Sequence, residues 1–300
     1  MAPLSPVLLD HFADHANHYQ LVRCEPLLCC TILMLSSRYH VLPGSGGASR
    51  SYYIHDRFWK HCQHLISRLM FGQEKGSLAK TRTVGSIEAL LLLSEWHPRA
   101  LHFPPEADGW DSDLLLTAVD DTVPQSNGRP PNRWLEDVIE PARRSDRMSW
   151  MLLGSALSLA HELNVFDDGE ETGTATSSDE GESALHLDKR ARTRRLLYVF
   201  MTQLSLRLGT MSMLPQNLPQ VVNNKYASRH TSWQTFMLAW IELTKLLKSV
   251  ADMAFPSKSF TQELFRSGRY VSLLEHCQLL LDHWKKNHLD ETGKPQCIRR

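Results

Sequence analysis

The chain has 300 residues, in which 33 lysines and arginines balance 33 aspartates and glutamates. A chain of this length can bury a sizeable core without cross-links, and zero net charge does not favour a nucleic-acid-binding surface, which is normally clearly basic. The six cysteines are too sparse and too irregularly spaced for a secreted disulfide framework, so we expect reduced thiols in a nuclear or cytosolic protein.

The N-terminal segment argues against secretion and against a membrane anchor. Met1 to Tyr19 carries histidines and aspartates where a signal peptide has a basic start and a continuous apolar stretch. The longest apolar run, Pro26 to Leu35, is about half of the roughly 20 residues that a membrane-spanning helix needs. We therefore expect no membrane partner.

Apolar residues at helical intervals predict an all-α protein, an irregular multi-helix domain with long loops. In the first half of the chain the predicted helices cover residues 5–19, 26–39, 52–71 and 84–96. The break after the second helix is assigned to the glycines and proline of residues 43–47, which cannot sustain a helix. The proline-rich residues 104–133 predict a long loop with a short turn at 112–119, and loops of that length are usually functional.

The best-defined predicted helix begins at Ser145, which suits an N-cap, and runs to about Leu163. Its wide apolar stripe predicts a largely buried helix and is formed by Met148, Leu152, Ala156 and Leu159. Gly154 in its interior costs about 1 kcal/mol relative to alanine. We therefore expect another helix to cross closely at that position.

Residues 167–183 are acidic and almost devoid of apolar side chains, which predicts one disordered insert because burial cannot offset the entropy of ordering. The next helix is expected to start at Asp188, to end at Gly209 and to pack beside the previous one. Further helices are predicted over residues 233–254 and 259–288. No solenoid repeat and no alternating strand pattern is found.

Catalytic and metal motifs are weak. His11, His15 and His18 share a helix face at spacings compatible with metal ligation, but no glutamate base follows them as in His-Glu-x-x-His, so a polar helix face is the favoured interpretation. Ser77-x-x-Lys80 lacks the partner motif of a penicillin-binding type of site, and the chain contains no CxxC, no GxSxG and no phosphate-binding loop. We expect no enzyme activity and no cofactor bound to these residues.

Two further patterns have a functional and a structural interpretation. Lys189, Arg190 and Arg192 are compatible with a nuclear-import signal, although a solvated helix start balanced by the acidic insert is favoured. Trp96, Trp150 and Tyr198 are compatible with an apolar pocket for a small effector, although aromatic side chains more often belong to the core.

An ordered set of residues in the two helices around the insert carries a family resemblance. The first helix contains Arg147, Trp150, Gly154, Ala156 and Ala160, and the second contains Arg194, Arg195, Tyr198 and Gly209. This order resembles the middle homology region of fungal binuclear-zinc-cluster transcription factors over residues 5–219, with 220–300 as a helical extension. Two positions depart from the family pattern: Asn164-Val165 replaces a usual Gly-Leu, and Gln203-Leu204 replaces a common Asp-Arg.

The resemblance implies a single regulatory domain over residues 1–300 of a nuclear protein that controls transcription of metabolic genes by RNA polymerase II. Its implied partners are coactivators or a small metabolite effector, and a homodimer is a further expectation. Zinc and DNA contacts are expected only in the six-cysteine cluster of such factors, which these residues do not contain. Leu93 to Ala100 is also similar to regulators of aromatic amino-acid catabolism. The alternative is a helical protein–protein interaction module with neither effector nor DNA binding.

Overall fold

A computed structural model describes residues 14–74, 80–102, 138–166, 180–214 and 232–289, with the backbone alone described at 180–186 and 232. Over these ranges the fold is all-α, as predicted, with two short 3-10 turns at His15–Asn17 and Arg99–Leu101 and no strand. The helices are α1 (His18–Cys24), α2 (Pro26–Tyr39), α3 (Gly47–Met70), α4 (Val84–Glu95), α5 (Glu140–Glu162), α6 (Glu180–Leu208), α7 (Ser232–Ala254), α8 (Lys258–Arg266) and α9 (Tyr270–His288).

The chain divides into two compact units. Residues 21–155 form one of them, and residues 1–20 with 156–300 form the other, so the boundary falls within α5. The prediction of one domain over residues 1–300 stays a prediction.

The unit of residues 21–155 is built around α4. Every residue from Val84 to Ser94 is buried, because the apolar run leaves the helix no polar face and α2 packs against both α3 and α4. Thr83 caps α4 by accepting a hydrogen bond from the backbone N–H of Ser86 at 3.2 Å. The helix ends at Glu95, one residue before the predicted end and shortly before Pro98.

The reversal between α2 and α3 depends on glycine. Gly44 and Gly46 have φ angles of 92° and 69°, which side chains rarely adopt, and the N–H of Gly47 donates to the carbonyl oxygen of Gly44 at 3.1 Å. This turn lets α3 begin at Gly47, five residues before the predicted start at Tyr52. The two ends of α2 agree with the prediction.

In the second unit α6 packs against α7, and α7 packs against α9. The middle of α6 is its most buried part, from Leu196 to Phe200. The rings of Phe200 and Trp240 meet edge to face with centroids 5.7 Å apart, a geometry that aromatic pairs prefer. The indole N–H of Trp284 on α9 donates to the carbonyl oxygen of Ala239 on α7 at 3.0 Å.

Two further predicted helix starts are wrong. Helix α5 begins at Glu140 rather than at Ser145, since Glu140 and Pro141 both suit a first helical turn. Helix α6 begins at Glu180 rather than at Asp188, so residues 180–183 of the predicted disordered insert are helical. The rest of that insert and the predicted loop and turn within residues 104–133 lie outside the described residues.

Two other boundaries also differ from the prediction. The helix predicted over residues 259–288 is interrupted between α8 and α9, where Gly268 has a φ angle of 72°. The first predicted helix was expected to end at Tyr19, but α1 continues to Cys24, directly before α2. The predicted end of the helix after the acidic insert is confirmed, because α6 ends at Leu208 and Gly209 follows with a φ angle of 64°.

Replacement of Gly47 by alanine tests the turn before α3. A Cβ atom at this position would lie 1.8 Å from the carbonyl oxygen of Leu42, so the backbone has to shift. We expect Gly47→Ala to lower the free energy of unfolding by about 1–3 kcal/mol in a urea titration. Ser49→Ala, an exposed change in the same helical turn, should alter it by less than about 0.5 kcal/mol. An unchanged urea midpoint for Gly47→Ala would contradict this account of the turn.

Candidate functional site

The unit of residues 21–155 contains an open cavity of about 370 Å³. This volume lies within the range of about 300–1,000 Å³ that is typical of small-molecule sites. The cavity lies among the C-terminal end of α2, the segment after α4, and the first turns of α5. Its lining residues are Arg38, Tyr39, Glu95, Trp96, His97, Leu101, His102, Val138, Pro141, Ala142 and Ser145.

Buried His55 on α3 positions the segment after α4. Its Nδ1 lies 2.9 Å from the carbonyl oxygen of Met34, and its Nε2 accepts a hydrogen bond from the backbone N–H of Arg99 at 3.1 Å. A carbonyl can only accept and an N–H can only donate, so the ring is neutral with its proton on Nδ1. His55 thereby joins α2, α3 and the 3-10 turn at Arg99–Leu101.

The side chain of Arg99 strengthens this connection. Its Nη2 donates to the carbonyl oxygen of Arg38 at 3.2 Å, and its guanidinium lies 5.6 Å from the centre of the Tyr52 ring, within cation–π range. Arg99 therefore links the turn after α4 both to the end of α2 and to α3.

Helix α5 is attached to the end of α4 and to the segment after it by three polar contacts. Arg144 Nε donates to the carbonyl oxygen of Leu101 at 2.9 Å. Buried Ser149 donates from Oγ to the carbonyl oxygen of Ser94 at 2.8 Å, while His97 Nε2 lies 2.9 Å from the same Oγ. Since the Ser149 proton is used for Ser94, His97 Nε2–H is the donor in that pair. These contacts thus hold two residues of the cavity lining, His97 and Leu101, in place.

The two oppositely charged residues of the described cavity lining, Arg38 and Glu95, differ in exposure. Arg38 is half-buried as a residue, and its guanidinium lies 5.6 Å from the centre of the Tyr39 ring. Among the described residues no ion pair joins this guanidinium to a carboxylate. Among the described lining residues Glu95 contributes the one carboxylate, and Glu95 is exposed. Of these two residues the positively charged one is therefore the less exposed.

The residues of the family-like set are shared between the two units. In residues 21–155, Arg147 is exposed, while Trp150 and Gly154 are half-buried. In the other unit Ala160 is buried, and burial raises the pKa of Tyr198, which is 2% exposed.

Arginines of α6 hold the C-terminal end of α5. Arg194 Nε donates to the carbonyl oxygen of Val165 at 3.0 Å, and Arg190 donates to the carbonyl oxygens of Leu163, at 3.3 Å, and Asn164. Cations at the negative end of a helix are favourable. Burial lowers the pKa of Arg195, and the charge of nearby Asp188 opposes that shift.

The remaining candidate residues lie in different surroundings. Of the three aromatic residues proposed for an effector pocket, Trp96 lines the cavity, and Trp150 and Tyr198 are not among its lining residues. In the basic run, Arg192 is 2% exposed and Arg190 is engaged by carbonyl groups. The import signal stays a prediction, and burial of Arg192 does not favour its recognition in the folded chain.

The described thiols and histidines do not form a reactive centre. Burial raises the pKa of Cys30 to about 11 and that of Cys62 to about 12, so both stay as inert thiols near neutral pH. Within the described ranges no group of three histidine, cysteine or acidic residues has a geometry that could hold a metal ion. In the same part of the chain no single helix is long and apolar enough to cross a membrane, and one bent pair, His15–Cys24 with Pro26–Tyr39, passes by length and composition alone.

Sequence reasoning missed most of the cavity. Trp96 was identified from its aromatic character, but Arg38 and the pair His97 and Ser149 were not. One local signal existed, a histidine followed by Pro98 directly after a buried helix, which marks a fixed turn. Contacts between residues 52 positions apart have no such signal.

Comparison with known proteins gives one informative relative. The chain is 52% identical over 299 residues to a protein of Aspergillus fumigatus named transcription factor hmgR, and the alignment covers 96% of this chain and 40% of that relative. The chain resembles a fungal transcription factor. It spans about two fifths of the length of this curated relative. A transcription factor is not an enzyme, in agreement with the prediction from the sequence. No family model matches the chain, and no solved structure matches it.

Acidification tests the role of His55. Burial lowers the pKa of His55 below its ordinary value of about 6.5, so the unfolded chain binds this proton more readily than the folded chain. The stability contributed by neutral His55 is complete above about pH 6.5 and is lost as the pH falls through the folded pKa. We expect the Tm to fall more steeply between about pH 7.5 and 5.5 in the parent than in His55→Gln, whose amide stays neutral.

His64→Gln is the matched control, because His64 lies exposed on the same helix. Its Tm should follow the pH dependence of the parent protein. The same pH dependence in His55→Gln and in the parent would refute the assignment of the acid-sensitive group to His55.

Proposed function

We propose that this chain is the regulatory region of a fungal zinc-cluster transcription factor, and that it controls transcription of metabolic genes by RNA polymerase II in the nucleus. The observation that carries the proposal is the 52% identity to a transcription factor over 96% of the chain. The ordered residues of α5 and α6 support the assignment to the middle homology region. The balance of 33 basic and 33 acidic residues supports regulation rather than direct DNA contact by these residues.

A small metabolite is the proposed signal. The cavity beside Trp96 supports this part of the proposal, because apolar walls with a few fixed polar groups are typical of small-molecule sites. The similarity of Leu93 to Ala100 to regulators of aromatic amino-acid catabolism includes three lining residues, Glu95, Trp96 and His97. We propose that coactivators receive the signal.

A reporter assay tests the regulatory role. The 300-residue chain, fused to an unrelated DNA-binding domain in a fungal host, should raise or lower reporter expression relative to that domain alone. Leu197→Asp should abolish the effect, because it places a charge at a side chain that is 0% exposed and unfolds the second unit. Met211→Asp changes a residue that is 92% exposed and should leave the effect intact. Equal expression with the fusion and with the DNA-binding domain alone would exclude the role.

The second candidate function is a protein–protein interaction module without an effector. It is favoured by exposed apolar side chains at the C-terminal helices, where the rings of Phe265 and Tyr270 lie 5.4 Å apart. Around them the exposed fractions are 45–69% for Phe255, Phe260, Phe265, Val271, Leu274 and Leu279. Large exposed apolar patches mark interaction sites.

Thermal stabilisation by metabolites separates the two functions. A ligand that binds the folded chain raises its Tm, so the regulatory function predicts stabilisation by at least one member of a panel of amino-acid catabolites. The interaction module predicts no shift with any of them, together with binding to a protein partner that is lost in Leu274→Asp. A shift that persists in a variant with a filled cavity would place the ligand elsewhere.

A further inference from the structure

We propose that the cavity of residues 21–155 binds a small monocarboxylate with a flat apolar body, and that the Arg38 guanidinium recognises the carboxylate. This inference rests on the regulatory function proposed above, because it names the chemical class of the signal and the residue that selects it.

The position of Arg38 carries the first part of the argument. Arg38 is a half-buried residue of the cavity lining, and its side chain has no ion-pair partner among the described residues. A guanidinium presents planar donors that match the two oxygens of a carboxylate. The carbonyl oxygen of Arg38 is held by Arg99 at 3.2 Å, so the backbone that carries this cation is fixed before a ligand arrives.

The walls set the shape of the ligand's other end. Trp96, Leu101 and Pro141 present apolar surface to the cavity, and the Tyr39 ring lies beside the guanidinium. A planar apolar group stacks on such rings. The volume of about 370 Å³ accommodates a ligand of the size of a single substituted ring.

The polar residues of the cavity lining limit the charge that the ligand can carry. Glu95 brings a carboxylate to the same cavity, and a second negative group on the ligand would be repelled by it. Of the two imidazoles, His97 uses its Nε2–H for Ser149, and His102 is exposed. A single carboxylate on an apolar body is therefore the best match.

Phenylacetate and its neutral analogue phenylacetamide test the inference. Both have a flat ring of similar size, and phenylacetate is an anion at about pH 7.5. In calorimetric or NMR titrations of the 300-residue chain, we expect phenylacetate to bind at least about tenfold more tightly than phenylacetamide, because a charge-assisted bidentate contact forms with the anion alone.

Arg38→Gln should weaken phenylacetate about tenfold and leave phenylacetamide unchanged. Arg57→Gln is the matched control, since Arg57 is an exposed arginine of α3 outside the cavity lining, and it should bind both probes as the parent does. Ala142→Leu fills the cavity from α5 at an exposed helical position and should weaken both probes. This variant tests the location even if Arg38→Gln does not fold, as judged by circular dichroism.

Three results would overturn the inference: equal affinities for the two probes, no binding of phenylacetate up to about 10 mM, or unchanged phenylacetate binding in both cavity variants. The reporter assay separates this failure from failure of the proposed function. If the fusion changes reporter expression but the purified chain does not bind phenylacetate, the regulatory function is supported and the carboxylate site is refuted. If the chain binds phenylacetate through Arg38 but does not change reporter expression, the carboxylate site is supported and the proposed regulatory function is refuted.

Discussion

The buried imidazole of His55 is the interaction on which the candidate site depends. It accepts from the Arg99 N–H and donates to the Met34 carbonyl, so one side chain satisfies two backbone groups of segments that are 65 positions apart in the sequence. Without the imidazole the part-buried Arg99 N–H would lose this partner at a cost of about 1–3 kcal/mol, whereas the Met34 carbonyl also accepts from Ser37 Oγ at 2.7 Å. A neutral ring is required for both bonds at once, which ties the geometry of the cavity wall to the protonation state of a residue that does not line it.

The two ends of α5 are held by different means. At its N-terminal end Arg144 and Ser149 bind carbonyl oxygens after and at the end of α4. After its C-terminal end the guanidinium groups of Arg190 and Arg194 bind the carbonyl oxygens of Leu163 and Val165, which follow the last residue of the helix. Arg194, the one of these two arginines that belongs to the family-like set, therefore has a structural explanation that requires no bound anion. Gln203, which stands where the family commonly has aspartate, donates to Thr244 Oγ1 at 3.3 Å and joins α6 to α7 without an ionic pair.

The sequence predicted the α-helical class and the helices whose limits are set by local chemistry. Proline opens α2 and a proline follows α4, and both helices were placed to within one residue. The start of α5 was missed because Ser145 has the preference of an N-cap, although Pro141 also suits a first turn and α5 begins one residue earlier. In the folded chain the Ser145 hydroxyl lies 3.2 Å from His97 Nε2, a tertiary contact that local preference cannot anticipate. Arg38 was missed for the same reason, since the cavity joins segments that are far apart in sequence.

The hydrogen bonds already formed around the cavity determine which part of a ligand the cavity can select. The carbonyl oxygens of Arg38 and Leu101 already accept from arginines, so ligand binding neither breaks nor completes those bonds. The apolar walls stabilise any bound flat ring and discriminate weakly between rings of similar shape. A half-buried cation without an ionic partner differs from both, because desolvating it is costly unless the ligand supplies a negative charge. Selectivity at this cavity should therefore depend on the charge of the ligand much more than on the substituents of its ring.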